Sequence, residues 1–188
     1  MIFKAMWYNY FIGGVIIMKD INACELSQPL EQQIVDILDE LGLTISTAES
    51  CTGGLLASTI INASGASNVL KESYITYSNE AKIKILGVNP QTIDKYSVYS
   101  KEVAKEMVIG LHQISNANIS ISVTGIAGGS ITTASNGSCD YAILIKTAKL
   151  DFLYEEHYCN IGTRNDVRKD QVKHILDTLL HIIKDNFK

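Results

Sequence analysis

Ser50, Lys82 and Tyr77 are the residues in this chain best suited to covalent chemistry. A serine hydroxyl is a poor nucleophile at its free pKa and needs a base to take its proton. A lysine can be that base if burial depresses its pKa, as in Ser-Lys variants of the catalytic triad. Tyr77 is placed to relay the proton or to orient the lysine. A helix-capping serine and a solvated surface lysine would look the same in sequence. Cys51 is a rival nucleophile, but a catalytic cysteine usually pairs with a histidine. His112, His157, His174 and His181 all lie away from Cys51 in the chain. Cys24, Cys51, Cys139 and Cys159 form no Cys-x-x-Cys pair and match no zinc spacing, so they read as reduced thiols. Arg164 and Arg168, on the opening turn of the last expected helix, could clamp a phosphate or carboxylate, or simply form a solvated face.

These residues fall in turns that follow expected strands. The turns are Thr47 to Gly54, Tyr77 to Lys82 and Thr124 to Gly129. In open α/β sheets, ligands collect outside the carboxyl ends of strands. Converging there, the turns would offer hydroxyls, glycine amides, one lysine and one tyrosine. Backbone N–H groups at the helix start after Gly53-Gly54 would favour an anion such as phosphate, and glycines allow close approach. No Gly-Lys-Ser/Thr is present, so this is not a P-loop. A structural turn with no ligand is the equal alternative.

The surrounding pattern alternates helices and strands. Ser27 and Pro29 open a helix carrying Leu30, Ile34, Ile37, Leu38 and Leu41, with Gly42 as its stop. Leu43 to Ala48 reads as a strand, Leu55 to Ile61 as a helix and Ser73 to Tyr77 as a second strand. Ser78 and Asn79 can cap a helix over Glu80 to Leu86, and Ser100 opens another through Leu111. Ala117 to Val123 is a third strand. Tyr141 to Thr147 and Phe152 to Tyr158 form a hairpin, which makes the sheet partly antiparallel. Thr163 and Asp166 are spaced as a capping pair for a final helix bearing Val172, Ile175, Leu176, Leu179 and Ile183. The order argues a single α/β layer fold with a mixed sheet.

Composition narrows the function classes. The 188 residues are 46% apolar and 19% charged, enough to build a core. Sixteen basic against twenty acidic residues leave a net charge of −4, which supports neither a sequence-independent nucleic-acid binder nor a polybasic membrane surface. The first 17 residues are apolar but short for a membrane span and lack a small-x-small cleavage site. Residues 1–17 read as an N-terminal extension outside the fold, with Met18 as the start of a single domain over 18–188. An ordered apolar arm is the alternative.

Thr47-Ala48-Glu49-Ser50-Cys51-Thr52-Gly53-Gly54 resembles the signature turn of the CinA C-terminal domain family. Tyr77-Ser78-Asn79-Glu80-Ala81-Lys82 with Leu86-Gly87-Val88 resembles its second block. Thr124-Gly125-Ile126-Ala127-Gly128 resembles its third, and Gly162-Thr163-Arg164 through Arg168 its closing Gly-Asp-Arg-x-x-x-Arg element. The resemblance covers about Leu30 to Ile183. It implies a three-layer α/β/α sandwich with a mixed central sheet. It also implies hydrolysis of the carboxamide of nicotinamide mononucleotide to nicotinate mononucleotide and ammonia, a step of pyridine nucleotide salvage. By the same resemblance, Ser50 is the nucleophile and Tyr77 and Lys82 its activating partners. Thr47, Glu49, Thr52, Gly53, Gly54, Asn79, Thr124, Gly125, Ala127, Gly128 and Arg164 would bind the nucleotide. Backbone amides near Ser50 and Gly128 would hold the oxyanion. The resemblance implies a homodimer with a small-molecule substrate and no metal or organic cofactor; the reduced thiols argue a cytoplasmic protein, and the charge balance argues neither a nucleic-acid nor a membrane partner.

The chain departs from the family pattern in two places. The family's Gly-Ala-Val-Ser stretch is here Ser97-Val98-Tyr99-Ser100. Its loop ending Lys-Pro-Val-Gly is here Gly129 to Cys139, with neither Pro nor Lys. The second departure favours an alternative: a degenerate member that binds a nucleotide or a protein partner without turnover. A third reading is an amidase acting on other small amides.

Overall fold

The computed structural model describes residues 10–12, 15–17 and 28–187. Strands β1 (Tyr10–Ile12) and β2 (Val15–Ile17) pair antiparallel as a two-stranded sheet of their own. The proposed start at Met18, the Ser27 cap and Cys24 lie outside the described residues.

Helix α1 (Leu30–Leu41) follows Pro29 and stops at Gly42, whose φ of +64° is the left-handed conformation glycine accepts most readily. Strand β3 (Ile45–Glu49) is buried throughout. Two short helices, α2 (Leu55–Ile60) and α3 (Ala66–Val69), lead to strand β4 (Leu70–Ile75). Helix α4 (Asn79–Leu86) is capped by Ser78, whose hydroxyl accepts from Ala81 N. Helices α5 (Pro90–Tyr96) and α6 (Lys101–Ser115) precede strands β5 (Ile119–Ile126), β6 (Ser135–Lys146) and β7 (Asp151–Gly162). Helix α7 (Arg164–Asn186) closes the domain, and Thr163 Oγ1 accepts from Asp166 N at its start.

The central sheet runs β4-β3-β5-β6-β7. Strands β4, β3 and β5 are parallel; β5-β6 and β6-β7 are antiparallel. Helices α1, α2 and α7 cover one face through Ile34, Leu38, Leu56, Ile175 and Leu179, packed on Ile121 and Ile143. Helices α4 and α6 cover the other, where Val103, Met107 and Leu86 meet Ala48, and Val108 meets Leu144. The result is a three-layer α/β/α sandwich with a mixed sheet. Each fully buried Val, Leu, Ile or Met among these contributes roughly 1.5–3 kcal/mol.

Strand β5 shows how the layers are set. Ile119, Ile121 and Val123 join the core under α7, while Ser122 on the opposite face donates from its hydroxyl to Ala104 O of α6 at 2.6 Å. Small side chains on this face let α6 sit close. At Gly110 of α6 an added Cβ would lie 1.8 Å from Leu86 O of α4, so only glycine fits the crossing.

Several elements differ from expectation: β5 runs on through Thr124, Gly125 and Ile126, expected as a loop, because β6 pairs with them, and β7 extends to Gly162 opposite Ser135. Strand β4 ends at Ile75 and leaves Tyr77 in the turn. Strand β6 begins at Ser135 rather than Tyr141; its polar first half has no apolar alternation but pairs with Gly125, Ile126 and the end of β7. Helix α5 was not expected, although Asn89 caps it from its side chain and Pro90 occupies its first position.

Candidate active site

The parallel strands β4 and β3 end side by side, β5 runs three residues further to Ile126, and its end meets the turns after β3 and β4 in a cleft of about 170 Å³. Ser50, Tyr77, Asn79, Lys82, Gly125 and Ala127 line it, and Arg164 closes one side. Ser50 directly follows β3, and its N–H donates to Val123 O of β5 at 3.0 Å, which fixes the residue at the sheet end. Lys82 lies one turn into α4 and reaches back toward β3, completely buried.

Lys82 Nζ stands 2.9 Å from Ser50 Oγ. It also donates to the carbonyl oxygens of Thr76 at 2.8 Å and Tyr77 at 3.3 Å. Burial draws the Lys82 amine down from 10.5 to about 8. In the neutral amine, the two carbonyls take its two N–H groups. The remaining lone pair then faces the Ser50 hydroxyl, so the same contact becomes O–H donating to N.

Tyr77 joins the site differently from expectation. Its main-chain carbonyl touches Lys82, while its phenol is exposed and accepts from Arg164 Nη2 at 3.3 Å. The phenol therefore lies beside an arginine on the rim and away from the Ser50–Lys82 contact. Thr76, which supplies the shorter carbonyl bond, carried no signal in sequence because only its backbone acts.

Glu49 is turned inward. Its carboxyl oxygens accept from the backbone N–H groups of Gly54 (2.9 Å), Leu56 (3.0 Å) and Ala57 (2.8 Å), and from Thr47 Oγ1 at 3.3 Å. The α2 N-terminus expected to attract a phosphate is thus already met by a buried side-chain carboxyl from the preceding strand. Thr47 is buried against Ser73 Oγ at 3.0 Å. Thr52 is buried as well, and Arg168 donates to its carbonyl. Gly53 and Gly54, with φ of +58° and +91°, form the turn beneath Ser50. Of the first block, Ser50 and Cys51 line the cleft, and Thr47, Glu49 and Thr52 support it from below.

Cys51 is buried and its thiol is pushed up to about 12 by burial, so it stays protonated at neutral pH. The end of β5 contributes Gly125, where an added Cβ would collide with Ser138 O at 2.2 Å, and the turn after it Gly128, with φ of +75°. Thr124 Oγ1 donates to Val98 O at 2.8 Å, and Arg164 Nη1 donates to Gly128 O at 3.4 Å. Asn79 is exposed at the α4 start. Val98 and Tyr99 also line the cleft; sequence reading noted their stretch only as a departure. Among the described residues no group of three or more His, Cys, Asp or Glu could hold a metal ion. Among them too, no helix is long and apolar enough to cross a membrane.

The model of the CinA C-terminal domain matches residues 27–183. The CinA-like protein of Petrotoga mobilis is 38% identical over 160 residues, which is 84% of this chain and 39% of that protein. The CinA-like protein of Kosmotoga olearia is 52% identical over 101 residues, 54% of this chain and 24% of that protein. The chain thus spans between about a quarter and two-fifths of the length of these curated relatives. Among solved structures, the competence or damage-inducible protein of Enterobacter asburiae superposes with a TM-score of 0.74 at 30% identity, covering 82% of this chain and 96% of that one.

Proposed function

The chain belongs to the CinA C-terminal domain family, and we propose that it hydrolyses the carboxamide of nicotinamide mononucleotide to nicotinate mononucleotide and ammonia. The observation that carries this reading is the buried Ser50–Lys82 contact with its depressed amine. An amine near 8, aimed by two carbonyls at a serine hydroxyl in an open cleft, suits a general base.

In this mechanism Ser50 Oγ attacks the carboxamide carbon as its proton passes to Lys82 Nζ. The oxyanion that forms is held by the backbone N–H groups of Cys51 and Gly128. The C–N bond then breaks, Lys82 returns the proton to the leaving nitrogen, and ammonia departs. Water, deprotonated by Lys82, attacks the remaining Ser50 ester; the bond between the acyl carbon and Ser50 Oγ breaks, Lys82 returns the proton to Ser50 Oγ, and the acid leaves as its carboxylate. Thr76 and Tyr77 orient the amine through their carbonyls. The Tyr77 phenol and Arg164 form the rim that would meet the ribose or phosphate, and Asn79, Gly125 and Ala127 line the approach. A cytoplasmic homodimer belongs to the same proposal.

A second reading, a family member that binds a nucleotide without turnover, is favoured by one feature: the segment from Gly129 to Cys139 lacks the lysine of the family pattern. Ammonia release by purified protein separates the two. Turnover with nicotinamide mononucleotide, abolished in Ser50→Ala, supports the amidase. Saturable binding with no ammonia in the unmodified protein would replace it with the second reading.

A further inference from the structure

Outside this cleft, β6 and β7 bring together a thiol, an imidazole and a carboxyl in a line. Cys159 Sγ lies 3.2 Å from His157 Nε2. The other ring nitrogen, His157 Nδ1, lies 3.0 Å from Asp140 Oδ1. Asp140 is buried and pairs directly with His157 across the two strands, while Cys159 is exposed two residues further along β7. Strand periodicity explains the alignment, because His157 and Cys159 share one face and Asp140 opposes the first of them. With Asp140 accepting from Nδ1–H, the ring presents Nε2 as an acceptor to the thiol.

The thiol also has somewhere for a reactant to sit. A groove of about 530 Å³ runs along it, with Ile126 and Ile161 as apolar walls and Ser138 and Asn160 as polar ones. Cys51 and Cys139 are buried, and burial raises both thiols, to about 12 for Cys51. Cys159 therefore differs from them in both access and partner.

The geometry points to Cys159 as a nucleophilic thiol, activated by His157 and held in register by Asp140, that exchanges with small disulfides to form a mixed disulfide. The Cys159 S–H proton passes to His157 Nε2, and the thiolate attacks one sulfur of the incoming disulfide. A new S–S bond forms as the old one breaks, and the departing thiolate takes the proton back from His157. The disulfide is the oxidant, and one thiol is released for each adduct formed. Acyl transfer would also need paired donors for an oxyanion; disulfide exchange needs only a thiolate, an open approach and a proton for the leaving sulfur. Ile126 lines both this groove and the Ser50 cleft, so an adduct would sit against the neighbouring site. In this scheme His157 is the proton acceptor and Asp140 a positioning residue. The charged groups near Cys159 and His157 are Glu155, two residues before His157, Lys105 of α6, which is 3.2 Å from Glu155, and Asp166, Lys169, Asp170 and Lys173 of α7, which line a second groove together with Cys159.

The test is a Cys24→Ser protein treated with oxidised glutathione and, separately, iodoacetamide, with adducts followed by intact mass and peptide mapping across a pH series. A single adduct is expected, at Cys159, and lost in Cys159→Ser. His157→Gln should slow iodoacetamide at neutral pH by roughly tenfold or more. Asp140→Asn should shift the pH profile toward that of an unassisted thiol. Thermal melts identify any variant that fails to fold, and the Asp140 profile then carries the test. A Cys159 rate unchanged in both variants, or adducts that avoid Cys159, would overturn the inference. The readout involves no amide hydrolysis, so its failure leaves the Ser50 reading untouched.

Discussion

Lys82 Nζ and Ser50 Oγ are 2.9 Å apart, although 32 residues separate them in the chain. The contact exists because parallel strands β3 and β4 end side by side. Ser50 leaves one strand end, and Lys82 returns to it from the helix after the other.

If the pair acts as one unit, neither member works without the other. Ser50→Ala and Lys82→Ala should each lower kcat for ammonia release by about a thousandfold or more, and the double variant should be little worse than either. Cys51→Ala should stay within a few-fold of the parent, since burial keeps that thiol protonated. A live Ser50→Ala with a dead Cys51→Ala would make the thiol the nucleophile.

The pH dependence follows from burial. Because Lys82 is drawn down to about 8, roughly nine in ten molecules hold the charged, inactive amine at pH 7. Activity should rise with pH and level off above about 8 to 9. Lys82→Arg should be inactive across the range, since a guanidinium does not deprotonate there. A flat profile for the parent, measured by stopped-time ammonia release, would remove Lys82 as the base.

Glu49 tests structure against binding. Three backbone N–H groups donate to its buried carboxyl. Glu49→Ala should therefore destabilise the fold by about 3 kcal/mol, and lower Tm by about 10 °C. A residue in contact with substrate would show the reverse: a raised KM with Tm unchanged.

Ser97 sits at φ +74° and ψ 152°, a region that glycine occupies far more readily than serine. It is exposed, and its carbonyl accepts from Ser100 Oγ, a bond that glycine retains. Ser97→Gly should raise stability by about 1 kcal/mol, seen as a Tm higher by about 3 °C. An unchanged or lower Tm would mean the serine conformation is not strained.

Sequence reading located elements best where side chains cap them. Ser78 and Thr163 announce α4 and α7, and both accept the expected backbone bond. The positions of Ser50, Lys82 and the glycine turns were likewise legible, because strand-turn-helix order brings them to one sheet edge. The missing parts were those that depend on pairing or on backbone. Ser135 to Asp140 looks like a loop alone and becomes strand only because β5 and β7 flank it. The role of Glu49 depended on which way its side chain turned, and that of Thr76 on a carbonyl that every residue possesses.

The crossing of α6 and α4 at Gly110 ties the chemistry to a point outside the cleft. The backbone of α4 rests directly on that glycine at Leu86, one turn beyond Lys82. A methyl group at position 110 would act as a wedge, and α4 is the lever it would lift. The far arm of the lever carries the amine, whose service to Ser50 depends on a separation that tolerates little slack; a displacement of about 1 Å can slow a reaction by about a hundredfold. The spacing of two helices is in this sense a setting of the base, made where no substrate reaches.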